Sequence, residues 1–324
     1  MNKGDYNISF QRYEYEAVFN KAAEYLAPYF DPLWLDSVCG DEGWEPMVIE
    51  FNNGHKLLFP YYSPTANHLS QPPFTQFIGP HIIPSDRTEL TFSDKRNAMM
   101  VLLKNLPQKR SYYLQTSPQL TDWLPFKWEG FEQTTRYTNI LYLNSPNEKL
   151  VAQQCNQLLR RKVRSAKREG YQLIIDADAK DLIPLVNLSL MRSSNEKINY
   201  EERLKNLVRT FKKQGKGCVY IATKDTLDNA DAAVFMVRNG RRTYYMAGGQ
   251  SLEKSKNALA FCLYQAICNE ISQFGIQEVD FEGSMIKGVE FFFRNFGAVQ
   301  TPYFALSKGK MGFWSRLKRK FNTK

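Results

Sequence analysis

Residues 277–306, QEVDFEGSMIKGVEFFFRNFGAVQTPYFAL, constrain the fold more than any other stretch. Val279 and Phe281 alternate with Glu278, Asp280 and Glu282, which predicts a strand with one apolar and one acidic face. Gly283 and Ser284 interrupt the alternation. Ile286, Val289, Phe293 and Phe296 then recur at helical spacing, predicting a short helix stopped at Gly297, and Thr301 to Leu306 predicts a closing strand. Three like charges on one strand face repel, so that face must meet water, cations or a cleft. A strand that ends in acids and opens a helix is a common place for an active site. A solvated sheet edge carries the same pattern, and spacing alone does not separate the two.

The chain of 324 residues is long enough for two domains, and its 43% apolar and 14% aromatic content marks it as globular. Its net charge of +10 suggests nucleic acid until it is located: residues 308–324 hold seven Lys or Arg and no acid, leaving the rest at +3. Five cysteines form no C-x-x-C pair, no charged-then-apolar leader opens the chain, and no run of about 18 apolar residues occurs. These features read as a cytoplasmic, reduced protein. All three histidines lie in the first quarter, so no metal site and no Ser-His-Asp triad is expected in the C-terminal half.

In the first half, residues 14–30 predict a helix through Val18, Phe19, Ala22, Tyr25 and Leu26. Asn52-Asn53-Gly54 predicts a hairpin turn between Met47–Phe51 and Lys56–Pro60. Six prolines between 60 and 84 exclude a long helix there, and residues 88–106 predict another helix. In the second half, Ser145-Pro146-Asn147-Glu148 predicts a capped helix running to Gly170. Its last turns carry Arg160, Arg161, Lys162, Arg164, Lys167 and Arg168. They are candidates for an anion site, for a phosphate-bearing substrate or an RNA backbone, beside the plainer reading of a solvated helix end. A strand at 171–175, helices including one capped by Asn199, a strand at 218–222, an Asn239-Gly240 hairpin, a long helix from about 257 to 274, and the opening stretch complete the order.

That order matches the GNAT acyltransferase fold. RRKVRSAKREGYQLII, TYYMAGG and VDFEGSMIKGVEFFFRNFGA, with PPFTQFIGP and WLPFKWEGFEQTTRY in the first half, resemble the FemABX-like branch of that superfamily. The resemblance implies an α+β protein of two tandem GNAT-like domains, residues 1–135 and 136–308, each a mixed, mostly antiparallel sheet flanked by helices, followed by a basic amphipathic tail, 309–324. It implies transfer of an acyl or aminoacyl group from aminoacyl-tRNA or acyl-CoA to an amine, such as that of a peptidoglycan precursor, with no tightly bound cofactor. Arg160, Arg161 and Arg164 are then candidates to hold the acceptor's phosphates. Ordinary acetyl-CoA enzymes place a Gly-rich loop before the central helix; here GGQSLEKSKNALA has no glycine after Gly249. Gly248, Gly249 and Lys256 remain substrate-binding candidates.

For the chemistry, Asp280 and Glu282 are candidates to take the amine's proton, or to orient arginines and cap the next helix. Tyr245 is a candidate oxyanion donor or a packing residue. A non-catalytic binding module for an envelope precursor or RNA, and an acetyl-CoA-dependent N-acetyltransferase on a small amine, are the alternatives. In the tail, Phe313, Trp314, Leu317 and Phe321 fall on one helical face among cations, a pattern suited to peripheral docking on an anionic membrane, to tRNA, or to disorder.

Overall fold

The computed structural model describes residues 5–194, 196–225, 230–251 and 257–309. They fall into two compact units, one made by the chain up to residue 136 and from 302, the other by residues 137–301. Lys256 and the tail from 310 lie outside the described residues.

The first unit contains, in order, β1 (Tyr6–Ser9), α1 (Arg12–Ala22), α2 (Pro32–Cys39), β2 (Val48–Phe51), β3 (Lys56–Leu58), β4 (Tyr62–Thr65), β5 (His68–Ser70), β6 (His81–Ile83), α3 (Phe92–Asn105), β7 (Ser111–Gln115) and α4 (Leu124–Trp128). One sheet has the order β1-β2-β3-β6. Gly54, at a φ of 86°, makes the predicted turn between β2 and β3. Strand alternation gives this sheet two apolar faces. Val48, Leu58 and Ile83 pack with Val18, Phe19 and Ala22 of α1, whereas Ile49, Leu57 and Ile82 pack with Ala98, Met99 and Leu102 of α3. Tyr25 was expected on the α1 stripe but is 78% exposed, because the α-helix ends at Ala22 and the chain tightens into a 3₁₀ turn. The helix expected over 88–106 starts later, at Phe92, where Thr91 and Asp94 form a reciprocal cap.

The second unit continues with β8 (Glu132–Tyr142, entering from the first), α5 (Glu148–Gln154), α6 (Gln157–Arg168), β9 (Gln172–Ile175), α7 (Ala179–Ser194), α8 (Glu201–Lys213), β10 (Gly217–Thr223), β11 (Ala232–Asn239), β12 (Arg242–Gln250), α9 (Ala258–Phe274), β13 (Glu278–Asp280), α10 (Lys287–Arg294) and the start of β14 (Val299–Gly309), which returns to the first unit at residue 302. Its strands run in the order β8-β13-β12-β11-β10-β9, antiparallel except for β12 beside β13. Parallel neighbours need a crossover, and α9 supplies it. α5, α6, α9 and α10 bury one sheet face around Val163, Phe261, Ile267, Val279 and Phe281. This is the α+β arrangement expected from the sequence, mixed sheets with flanking helices.

Four local expectations change. The helix predicted from Ser145 to Gly170 breaks at Cys155, because Asn156 turns its side chain to cap Leu159 N–H (2.9 Å) while its backbone bonds Asn295. Asn147, rather than Ser145, caps the first piece, accepting from Lys149 N–H. α8 starts after Tyr200, held at a φ of 66°, without a cap from Asn199. The closing strand, read from sequence with the second half, pairs antiparallel with β7 from Ala305 to Gly309.

Candidate active site

The second unit's sheet is complete on one side of β12 and opens on the other. β11 pairs with β12 along its whole length, with a bulge: Phe235 faces Ala247 and Met236 faces Tyr245, leaving Met246 as the extra residue. β13 pairs with β12 only from Arg242/Glu278 to Tyr244/Asp280. Beyond that point β12 runs on to Gln250 while the other chain turns away, so a wedge opens between residues 245–250 and 281–286. Residues 245–248 are half-buried, although β11 behind them is buried from 232 to 238. Backbone groups in such a split can bind a ligand, because no neighbouring strand among the described residues takes them.

The turn that makes the wedge is built by Asp280. Its carboxylate is fully buried, and one oxygen accepts from the Thr138 hydroxyl and from Glu282 N–H (2.9 Å). The second bond closes an Asx-type turn, which carries Glu282 at a φ of 56° and Gly283 at 62°. Only glycine fits position 283, since a Cβ there would lie 2.1 Å from the Tyr137 carbonyl oxygen. Burial pushes the Asp280 carboxyl upward, against the Thr138 bond and Arg242. Arg242 Nη1 lies 3.9 Å from Asp280 and is committed to Glu278, whose Oε2 accepts from its Nε at 2.7 Å. The expected face of three acids therefore resolves into three environments. Glu278 pairs with an arginine, Asp280 is sealed inside, and Glu282, past the strand end, is half-buried at the wedge.

Across the wedge, the Tyr245 ring meets Phe293 edge-on at 5.6 Å. Burial, then Cys262 and Glu282, raise its hydroxyl well above the ordinary tyrosine value, so it stays a proton donor at neutral pH. A Cβ at Gly248 would lie 2.3 Å from that hydroxyl; glycine leaves the ring room to lie on the strand. Gly249 faces elsewhere, since a Cβ there would stand 2.0 Å from the Leu185 carbonyl oxygen of α7. Its lack of a side chain serves helix packing.

The arginine candidates form a separate feature. Arg160, Arg161 and Arg164 are exposed on α6, and with Lys167 and Arg168 they have no ion-pair partner among the described residues. Leu159, Val163 and Ala166 bury the opposite face, so helix periodicity gathers the cations into one outward stripe. Sequence reading missed Thr138, whose hydroxyl fixes Asp280 from a strand 142 residues away in sequence. No local signal marks such a pairing. No group of His, Cys, Asp or Glu suited to a metal occurs among the described residues, and no described helix is long and apolar enough to cross a membrane.

Residues 153–294 match the family model described as an acetyltransferase (GNAT) domain. No curated protein sequence matches the chain. Among solved structures it is similar to FemX, with a TM-score of 0.65 at 12% identity over 92% of this chain and 96% of that one. It is also similar to L-PGS from Bacillus licheniformis (TM-score 0.53, 12% identity, 97% and 98% covered). A third likeness is to a tandem GNAT protein from the clavulanic acid biosynthesis pathway (0.51, 9%, 95% and 100%). The family match falls within the second unit, which thus contains the GNAT domain. The chain as a whole has the FemX-like tandem GNAT fold that its sequence resembles.

Proposed function

We propose that the protein transfers an acyl or aminoacyl group to an amine, with the bond exchange in the wedge between β12 and β13. The observation that carries this reading is the parting of the two strands just after Tyr244 and Asp280, which leaves Tyr245 and Glu282 on its two sides. A protonated amine must lose a proton before it attacks a carbonyl, and we assign that proton to Glu282, the half-buried carboxylate beyond the end of β13 that acts electrostatically on Tyr245. The oxyanion that forms needs donors, which the unpaired β12 backbone supplies. As the carbonyl re-forms, the bond to the leaving oxygen or sulfur breaks and that atom takes a proton from the Tyr245 hydroxyl, while the attacking nitrogen sheds its second proton, which restores the tyrosine. Asp280 is a positioning residue: it holds the turn that aims Glu282 and touches no reactant.

An acceptor bearing phosphates, such as an envelope precursor of peptidoglycan, is the reading that the α6 arginines and the likeness of the whole chain to FemX support. The donor is an activated ester or thioester, aminoacyl-tRNA or an acyl-CoA. Thermal-shift and transfer assays with acetyl-CoA, charged tRNA and a muropeptide precursor identify the pair. With that pair, Glu282→Gln is expected to lower kcat by about 10²–10⁴, and Tyr245→Phe by less, with KM little changed. Full turnover by Glu282→Gln would remove the proton-transfer assignment. Silence toward every donor and acceptor would favour a binding module instead.

A further inference from the structure

The first unit carries an open groove of about 1410 Å³ that the transfer reaction does not use. β6 runs along it, and β6 is the last strand of its sheet. His81, Ile82 and Ile83 pair with β3 on one edge, and no backbone hydrogen bond from their other edge is formed among the described residues. Each wall of the groove is one of the helical layers that cover this sheet. On the α1 side Val18 and Ala22 are buried at the base and Lys21 is exposed above them. On the α3 side Met99 is buried and Lys95 is exposed. Two other cations in the groove are already taken, Lys56 by Glu50 (3.1 Å) and Arg96 by Asp122 (2.8 Å). Lys21, Lys95 and Arg87 have no ion-pair partner among the described residues, and neither have the two other acids of the lining, Glu14 and Asp86, so the uncompensated charge is positive by one and lies at Lys21 and Lys95 on the two walls.

We infer that this groove docks a short, extended, acidic peptide segment, added as a further strand to the free edge of β6. The fit follows from strand geometry. A chain laid beside β6 continues the alternation of His81 and Ile83 toward α1 and Ile82 toward α3. Its apolar side chains reach the base of each wall. Carboxylates on the same segment meet Lys21 and Lys95, one on either wall. Burial lowers the His81 imidazole to about 4, so this edge presents a neutral surface at physiological pH. Pro80 and Pro84 lack N–H groups and close the ladder at both ends. Addition is thereby limited to a short segment, and open-ended strand pairing is blocked. The site is independent of the proposed transfer chemistry and stands or falls separately.

The test uses the full-length protein and two fluorescent, end-blocked peptides, one repeating Val-Val-Glu-Glu and one repeating Val-Val-Lys-Lys, so that each face of the added strand carries both apolar and charged side chains. The glutamate peptide is expected to bind saturably and to slow amide exchange at His81–Ile83. Methylating every second backbone nitrogen should abolish binding in one register and spare it in the other, the signature of strand addition. Lys21→Glu with Lys95→Glu, both at exposed positions, should weaken binding about tenfold or more and improve binding of the lysine peptide. Any of three results overturns the inference: no saturable binding, equal effects of the two methylation registers, or full displacement by inorganic phosphate. Exchange protection that depends only on protein concentration also overturns it, since a second copy would then occupy the edge.

Discussion

Glu270 and Asp280 are both fully buried acids of the second unit, both pushed upward by burial, and both near an arginine. They do different things. Glu270, on α9, accepts from Arg238 Nη1 at 2.5 Å and from the Tyr220 hydroxyl at 2.6 Å, and the Arg238 guanidinium lies 3.6 Å over the Phe274 ring. That network ties β10, β11 and α9 where the sheet is complete. Asp280 sits where the sheet parts; its arginine is 3.9 Å away, and its close bonds go to a hydroxyl and to a backbone N–H in a left-handed turn. One acid locks a finished ladder and the other shapes an unfinished one. The difference teaches that burial alone does not mark a functional acid; what its bonds hold in place does.

The largest effect that would sharpen this contrast is expected at the locked end. Arg238→Ala leaves Glu270 buried without its cation, and breaking such a pair costs about 3–5 kcal/mol. Denaturant unfolding should show the loss, while kcat per folded molecule stays near wild type. A variant as stable as wild type, or one that is folded but inactive, would break the division between the two acids.

A smaller pair of effects is expected at the two adjacent glycines. Gly249→Ala drives a methyl into the α7 backbone, which cannot swing aside, so a loss of about 1–3 kcal/mol is expected with little direct change in chemistry. Gly248→Ala meets the far end of the Tyr245 side chain, which can move. It should cost less stability and lower kcat by displacing the hydroxyl. Parallel melting and transfer assays read both, and the reverse ranking would put the tyrosine outside the site.

Much of this was legible in the sequence, and the limits have physical causes. The Asn-Gly hairpins, the α9 stripe, the acid-bearing strand and the run into α10 all rest on local periodicity or turn chemistry, and the order of elements follows from them. The parting of β12 from β13 was not legible, because it depends on a bulge at Met246 and on where a parallel neighbour stops. The three acids were placed on one face by strict alternation, but alternation ends with the strand at Asp280, and the Asx turn redirects Glu282. Thr138, the partner that makes this turn, comes from a strand distant in sequence. Gly248 and Gly249 look alike in a sequence and face different neighbours in the fold.

The smallest effect is expected in the pH dependence of stability, and it bears most directly on Asp280. Its carboxyl is raised in the folded chain, with burial as the main cause. It therefore holds its proton more tightly folded than unfolded. Its contribution to stability is fully present below the unfolded value, about 3.9, and is lost as pH rises through the raised folded value, after which it stays flat. Asp280→Asn keeps an oxygen for Thr138 and Glu282 N–H but cannot titrate. Stability measured across this window should fall with pH more steeply in wild type than in the variant. If the wild type instead gained stability relative to Asp280→Asn as pH rose, Asp280 would be a paired carboxylate like a surface ion-pair acid, Arg242 would be its true partner despite the 3.9 Å gap, and the contrast with Glu270 would collapse. The same variant should keep KM while lowering kcat, because a loosened turn misaims Glu282 without touching the acceptor's binding groups.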